Sequence, residues 1–224
     1  AKGAKRPTSQ LRPVLLPFQR LQVTLGRSRT GEAAEVQVLR HAEWAGGAPT
    51  LRGGAIFSGL YCNELLMRLL ARDDPHPGLF DAYAATLPLL TAGDEAVEQA
   101  GLRAFELMLL RETGVLPDLR VVTLTVQPVA ADGLYELLPE SGVSALPAAA
   151  EGALTGAQLT ALQAAIDAGD MAGLQQACLP ALHALRAGLR ALLQYHLGHT
   201  PLRTRQVMQG VQRLLDGGPD RTTR

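Results

Sequence analysis

The chain has 224 residues, with 21 Lys and Arg against 21 Asp and Glu, and is 47% hydrophobic and 19% charged. It is too apolar for a disordered chain and too short for more than one or two domains. No uncharged apolar run reaches the roughly 18 residues of a membrane span, and the 4% aromatic content beside abundant Ala, Leu and Gly suits close-packed helices.

Residues 1–30 carry Lys2, Lys5, Arg6, Arg12, Arg20, Arg27 and Arg29 and no acid, so the neutral total hides a basic head. A face of this kind attracts polyanions by releasing their counterions. The stretch begins without Met and with no element before it, which reads as a start inside a longer chain. Leu21–Leu25 and Val36–Val38 alternate apolar and polar residues, predicting two strands joined by the basic Gly26–Gly31 turn. Pro13 and Pro17 fit only strand starts or an edge. Trp44, ahead of Gly46, Gly47 and Pro49, reads as a domain junction. Two strands cannot bury a core, so a small barrel missing its first strands is expected.

From about Leu51 the period changes to 3.6. Ala55–Ala71 is apolar nearly all round, as in a helix buried in a bundle, with Asn63 and Glu64 expected to bond to backbone or to an Arg. Pro75 and Pro77 break the chain before a helix at Leu79–Leu90. Asp94 caps the next helix, with Glu95 in its first turn and Gly114 stopping it. Residues 117–147 read as an irregular insertion with short strands at Val121–Val126 and Tyr135–Leu138. Thr155 opens a helix closed by Gly169, and Pro180 opens another that carries Leu182, Leu185, Leu189, Leu192 and Leu193 to Gly198. Thr200 and Pro201 read as the cap and first turn of a final helix, and the tail after Asp216 reads as frayed. Residues 121–185 hold six acids and no Lys or Arg, whereas Arg186, Arg190, Arg203, Arg205 and Arg213 follow unopposed.

Catalytic and metal-binding patterns are missing. There is no P-loop, GxGxxG, HExxH, GxSxG or CxxC. Cys62 and Cys178 read as reduced buried thiols of a cytoplasmic protein. His196 and His199 straddle a helix end, and Asp73 and Asp74 read as solvated turn residues. No acid, base and nucleophile assemble, so a binding protein is expected, neither an enzyme nor a holder of metal or cofactor.

Several segments resemble, in order, the RecO family of DNA repair proteins. They are Ala1-Lys-Gly-Ala-Lys-Arg-Pro-Thr-Ser with Leu11-Arg and Leu16-Pro-Phe; Gly59-Leu-Tyr-Cys-Asn-Glu-Leu-Leu-Met-Arg-Leu-Leu70; Phe105-Glu-Leu-Met-Leu-Leu-Arg-Glu-Thr-Gly114 with Leu116-Pro-Asp-Leu119; and His196-Leu-Gly-His-Thr-Pro-Leu-Arg-Thr-Arg205. The resemblance implies an α+β, mainly α fold. Residues 1–48 would be the remainder of an N-terminal OB-fold barrel, and residues 49–224 a helical domain with the insertion at about 117–147. It implies a recombination mediator that binds single- and double-stranded DNA and anneals complementary strands. With RecR, it would help RecA replace the single-stranded DNA-binding protein SSB, whose acidic C-terminal tail is a partner. Its place would be the cytoplasm, on the nucleoid, away from membranes. Some members carry zinc-binding cysteines after the Pro-Asp-Leu segment; here Arg120–Val126 has none, so no zinc is expected.

The DNA-contacting set is then Lys2, Lys5, Arg6, Arg12, Arg20, Arg27 and Arg29. Aromatic interleaving for base stacking is sparse, with only Phe18 nearby. For the SSB tail, acidic with a terminal Phe, an apolar pocket ringed by Arg is expected on the helical domain. Arg111, Arg120, Arg186 and Arg190 are its candidates, and Arg203 and Arg205 belong to the same second basic patch. Any of the first four could instead pair with Glu106 or Glu112. A competing reading is a helical interaction or regulatory scaffold without DNA binding, its basic head only a tail.

Overall fold

A computed structural model describes residues 6, 9, 11–26, 38–47, 50–147, 150, 152–198 and 200–216. The chain forms two compact units, residues 1–51 and 52–224.

In the first unit, β1 (Gln19–Gly26) and β2 (Val38–Gly47) pair antiparallel, with Leu21 opposite Trp44 and Val23 opposite Ala42. Pro13 and Pro17 sit in the turns that precede β1. Alternation in 21–25 produced β1 as expected. Trp44 lies within β2, 67% exposed, with its Nε1 donating to Gln19 Oε1 at 3.0 Å, and the two units part after Leu51, shortly beyond Gly46, Gly47 and Pro49. Of the two strands only Gly26 and Ala42 are buried. A two-stranded ribbon has too little surface to enclose a core.

The second unit is helical, and the strands-then-helices order is the α+β, mainly α class expected, an OB-like strand region ahead of a helical domain. It opens with α1 (Gly54–Leu69), α2 (Pro77–Leu89) and α3 (Glu95–Glu112). Asp94 caps α3, accepting from the amides of Ala96 at 2.8 Å and Val97 at 3.3 Å, while Glu95 and Glu98 face the positive end of the dipole. From Ala100 to Leu110 every residue of α3 is buried. The helix forms the centre of the unit, with α1, α2, α5 and α6 packed around it.

Residues 121–126 are not one strand. They form β3 (Val121–Val122) and a tight turn that leads into β4 (Gln127–Pro128), and Val126 takes φ +58°, unusual for a β-branched residue. Beyond them β5 (Leu134–Leu138) lies between β6 (Gly142–Ala145) and β7 (Leu154–Thr155). Thr155 and Gln158 then cap α4 (Gly156–Ala168) reciprocally, and Gly169 ends it at φ +65°. A short helix unforeseen in the sequence follows, α5 (Met171–Cys178), capped by Asp170. Pro180 sits in a single 3-10 turn, Leu179–Ala181, so α6 (Leu182–Leu197) starts just after it. Gly188 brings α6 onto β5, since a Cβ there would stand 2.9 Å from Leu137 Cβ. The last helix, α7 (Arg203–Asp216), begins later than Thr200 and Pro201 suggest; its first turn closes with the Gln206 amide on the Leu202 carbonyl.

Candidate functional site

Four elements of the helical unit enclose a cleft of about 330 Å³. Phe57, Ser58 and Tyr61 come from α1, and Gln99, Leu102 and Arg103 from α3. Helix α6 presents Arg186, Arg190, Leu193 and Leu197, spaced so that one face carries them all. The loop from Gly198 to Leu202 and the start of α7, with Thr204, Arg205 and Met208, close the remaining wall. The lining therefore combines apolar side chains with four arginines and no carboxylate.

The floor holds a buried ion pair one helical turn long. Arg103 Nη2 meets Glu106 Oε1 at 2.9 Å, and the same oxygen accepts from Tyr61 Oη at 2.7 Å. Arg103 is only 8% exposed and Glu106 fully buried. Arg103 Nε and Glu106 Oε2 are both buried without a hydrogen-bond partner among the described residues. Burial pushes the Glu106 carboxyl above the usual Glu range, while Arg103, the Tyr61 hydroxyl and Arg190 pull it back. Burial, then Glu106, drives the Tyr61 phenol far up. Arg190 is lowered, first by desolvation and then by repulsion from Arg205, Arg186 and Arg103. Four guanidinium groups thus crowd one cleft over a single buried counter-charge, which favours an anionic visitor.

The sequence candidates divide sharply on this geometry. Arg186, Arg190 and Arg205 reach the cleft. Arg111, at the far end of α3, lies 3.7 Å from Glu112. Arg120 is bound by Asp118, through Nε and Nη2 at 3.0 Å each, and by Asp167 at 3.3 Å. The backbone amide of Arg203 is held by Glu64, and its exposed side chain does not line the cleft. Arg103 was missed: a lone Arg in an apolar run with Glu three residues on was its only signal. Asn63 accepts from Tyr83 Oη at 2.6 Å.

In the N-terminal unit Arg6, Arg12 and Arg20 are exposed, and Arg20 stands in β1. Lys2, Lys5, Arg27 and Arg29, with the loop expected between the strands, lie outside the described residues. Trp44 and Arg40 of β2 are exposed as well, and the Arg40 Nε lies 2.9 Å from where a Cβ on Gly26 would stand. Phe18 is half-buried, with φ +65°.

Among the described residues no cluster of three His, Cys, Asp or Glu could hold a metal ion, and no helix is long and apolar enough to cross a membrane. Cys62 and Cys178 are buried free thiols; burial drives both up, Cys178 to about 12. His196 stacks edge-on against Tyr195, and His199 lies outside the described residues. Asp74 is exposed and pairs with His76 at 3.3 Å.

The family model described as "Recombination protein O C terminal" matches residues 52–206, most of the helical unit that carries the cleft. The chain belongs to the RecO family. The DNA repair protein RecO of Variovorax paradoxus (strain S110) is 51% identical over 96% of this chain and 84% of its own length. That of Verminephrobacter eiseniae (strain EF01-2) is 48% identical, and that of a Polaromonas species (strain JS666) 46%, with the same coverage. DNA repair is the role under which these RecO relatives are named.

Proposed function

We propose that this RecO-family chain is a recombination mediator, acting by binding and not by catalysis. Its basic N-terminal unit, taken as residues 1–48, grips single- and double-stranded DNA by the phosphates through Lys2, Lys5, Arg6, Arg12, Arg20, Arg27 and Arg29. Loose, backbone-directed binding leaves bases free to pair, so complementary strands anneal. With RecR, the protein promotes RecA loading on SSB-coated DNA, in the cytoplasm at the nucleoid. The helical unit, residues 49–224 with its insertion at about 117–147, docks the acidic C-terminal tail of SSB.

One observation carries this reading: an apolar cleft on the helical unit whose lining has four arginines and no carboxylate. An acidic segment ending in an aromatic residue matches both properties, because its carboxylates meet guanidinium forks while its ring is buried. Arg103 reinforces the match as the guanidinium that α3 adds to that lining.

Fluorescence anisotropy tests both halves. A labelled acidic peptide ending in Phe is expected to bind, and amidation of its C-terminus or loss of the Phe to weaken it at least about tenfold, since each removes a charged or buried contact. A labelled single strand titrated across a salt series is expected to give a log–log slope of roughly −0.7 per phosphate neutralised, and several units in total. Peptide binding indifferent to both changes would overturn the docking reading. A slope near zero, with the fold intact, would overturn the DNA reading.

A further inference from the structure

The cleft has one wall without regular structure, yet that wall must be well placed. Leu197, Gly198, Thr200, Pro201, Leu202 and Thr204 all line it, and between α6 and α7 the chain turns without a helix or strand to stiffen it. Arg205 and Met208, also in the lining, inherit their positions from where α7 starts.

Two side chains of α1, more than a hundred residues earlier, hold both ends of this turn. Arg68 Nη2 donates to the Leu197 carbonyl at 3.2 Å and the Thr200 carbonyl at 2.9 Å, and Nη1 to the Pro201 carbonyl at 3.5 Å. Glu64 Oε1 accepts from the Arg203 amide at 2.7 Å, and Oε2 from the Thr204 amide at 2.9 Å and the Thr204 hydroxyl. The polarity is favourable at each end. A cation meets the carbonyl end of α6, and a carboxylate meets the free N–H groups at the start of α7, supplying in trans the cap that Thr200 does not. Glu64 and Arg68 themselves lie 3.9 Å apart, one turn along α1, and neither lines the cleft.

We infer that Glu64 and Arg68 are positioning residues for the cleft, clamping the turn between α6 and α7 so that Arg205 and Met208 face the docked peptide. The inference rests on the docking reading above and adds the residues that set the geometry of that site. A carboxylate is required at position 64 because three donors converge on two oxygens. An amide has only one oxygen and would turn an N–H₂ group toward a backbone N–H.

The test is a double-mutant cycle read by binding of the labelled acidic peptide. E64Q is expected to weaken binding about five- to tenfold, the scale of one charge-assisted hydrogen bond network. In an R205A background the same change is expected to cost less than about twofold, since the group it positions is gone. Equal losses in both backgrounds, or no loss in either, would overturn the clamp. Should E64Q not fold, hydrogen exchange on the wild-type protein decides the matter. Peptide binding is expected to slow exchange at the Arg203 and Thr204 amides, by reciprocity between the site and the clamp, and unchanged rates there would overturn it. Wild-type protein that ignores the peptide would overturn the docking reading, and the clamp with it, whereas binding without coupling removes the clamp alone.

Discussion

The two basic regions of this molecule carry their charge differently. In the N-terminal unit Arg20 and Arg40 are exposed on the β1–β2 ribbon, Arg6 and Arg12 are exposed in the chain before it, and Trp44 of β2 is exposed as well. In the helical cleft, Arg103, Arg186, Arg190 and Arg205 crowd around a hollow, and one of them is buried against Glu106. Exposed charges on a ribbon are screened and interchangeable, which suits a repeating phosphate backbone. Partly desolvated arginines that repel one another gain most from one well-placed anion, which suits a short acidic terminus. Arg120 shows a third condition: its guanidinium is half-exposed and already neutralised by Asp118 and Asp167. A basic run in a sequence therefore says little until the carboxylates around it are located.

The contrast can be broken at four points. The largest effect is expected from Glu106→Ala, which leaves Arg103 buried with no acid and removes the acceptor of Tyr61 Oη. Loss of one partner of a buried pair costs about 3–5 kcal/mol, and urea unfolding is the measurement; a loss below about 1 kcal/mol would show that the floor is not a working ion pair. Next, Arg190→Glu places a carboxylate among the cleft guanidiniums and is expected to weaken acidic-peptide binding by more than about thirtyfold, or about 2 kcal/mol, with single-strand binding little changed. Equal losses for both ligands would merge the two regions into one site. Trp44→Ala is expected to lower single-strand affinity by about 1–3 kcal/mol through lost base stacking while keeping the salt slope, because no charge is removed. An unaltered affinity would leave the ribbon with phosphate contacts alone. The smallest effect belongs to Arg120→Ala, with the urea-unfolding midpoint nearly unchanged, as for exposed pairs, and peptide binding unchanged. A large binding defect there would place the tail site outside the cleft.

Much of the helical unit was legible from the chain. The Asp94 and Thr155 caps, the Gly169 stop and the apolar period of Ala55–Ala71 each act within a few residues, so their signals are local. Failures came where two local signals competed or where none existed. Thr200-Pro201 has the form of a helix start, but the Thr200 carbonyl is held by Arg68 and the first α7 amides by Glu64, 139 residues away. Helix α5 is one short run behind a glycine stop, too brief for its period to register. The strand expected at 121–126 split because Val126 adopts a left-handed turn that its side chain disfavours. The run of Gly46, Gly47 and Pro49 stands close to the boundary after Leu51, while Trp44, in register opposite Leu21, belongs to β2.

By itself the sequence determined the composition class, the basic head, the helix boundaries set by caps and glycines, and through ordered motifs the RecO family. Each depends on residues near one another or on identity alone. Which arginines are free to bind was decided only by tertiary structure. Arg103, Arg186, Arg190 and Arg205 come from three helices and converge because α3 is buried at the centre of the packing, and Asp167 reaches Arg120 by the same packing, whereas Glu112 beside Arg111 and Asp118 beside Arg120 are near neighbours in the sequence itself. Electrostatic energy depends on distance through space and on burial, and neither quantity is written along the chain.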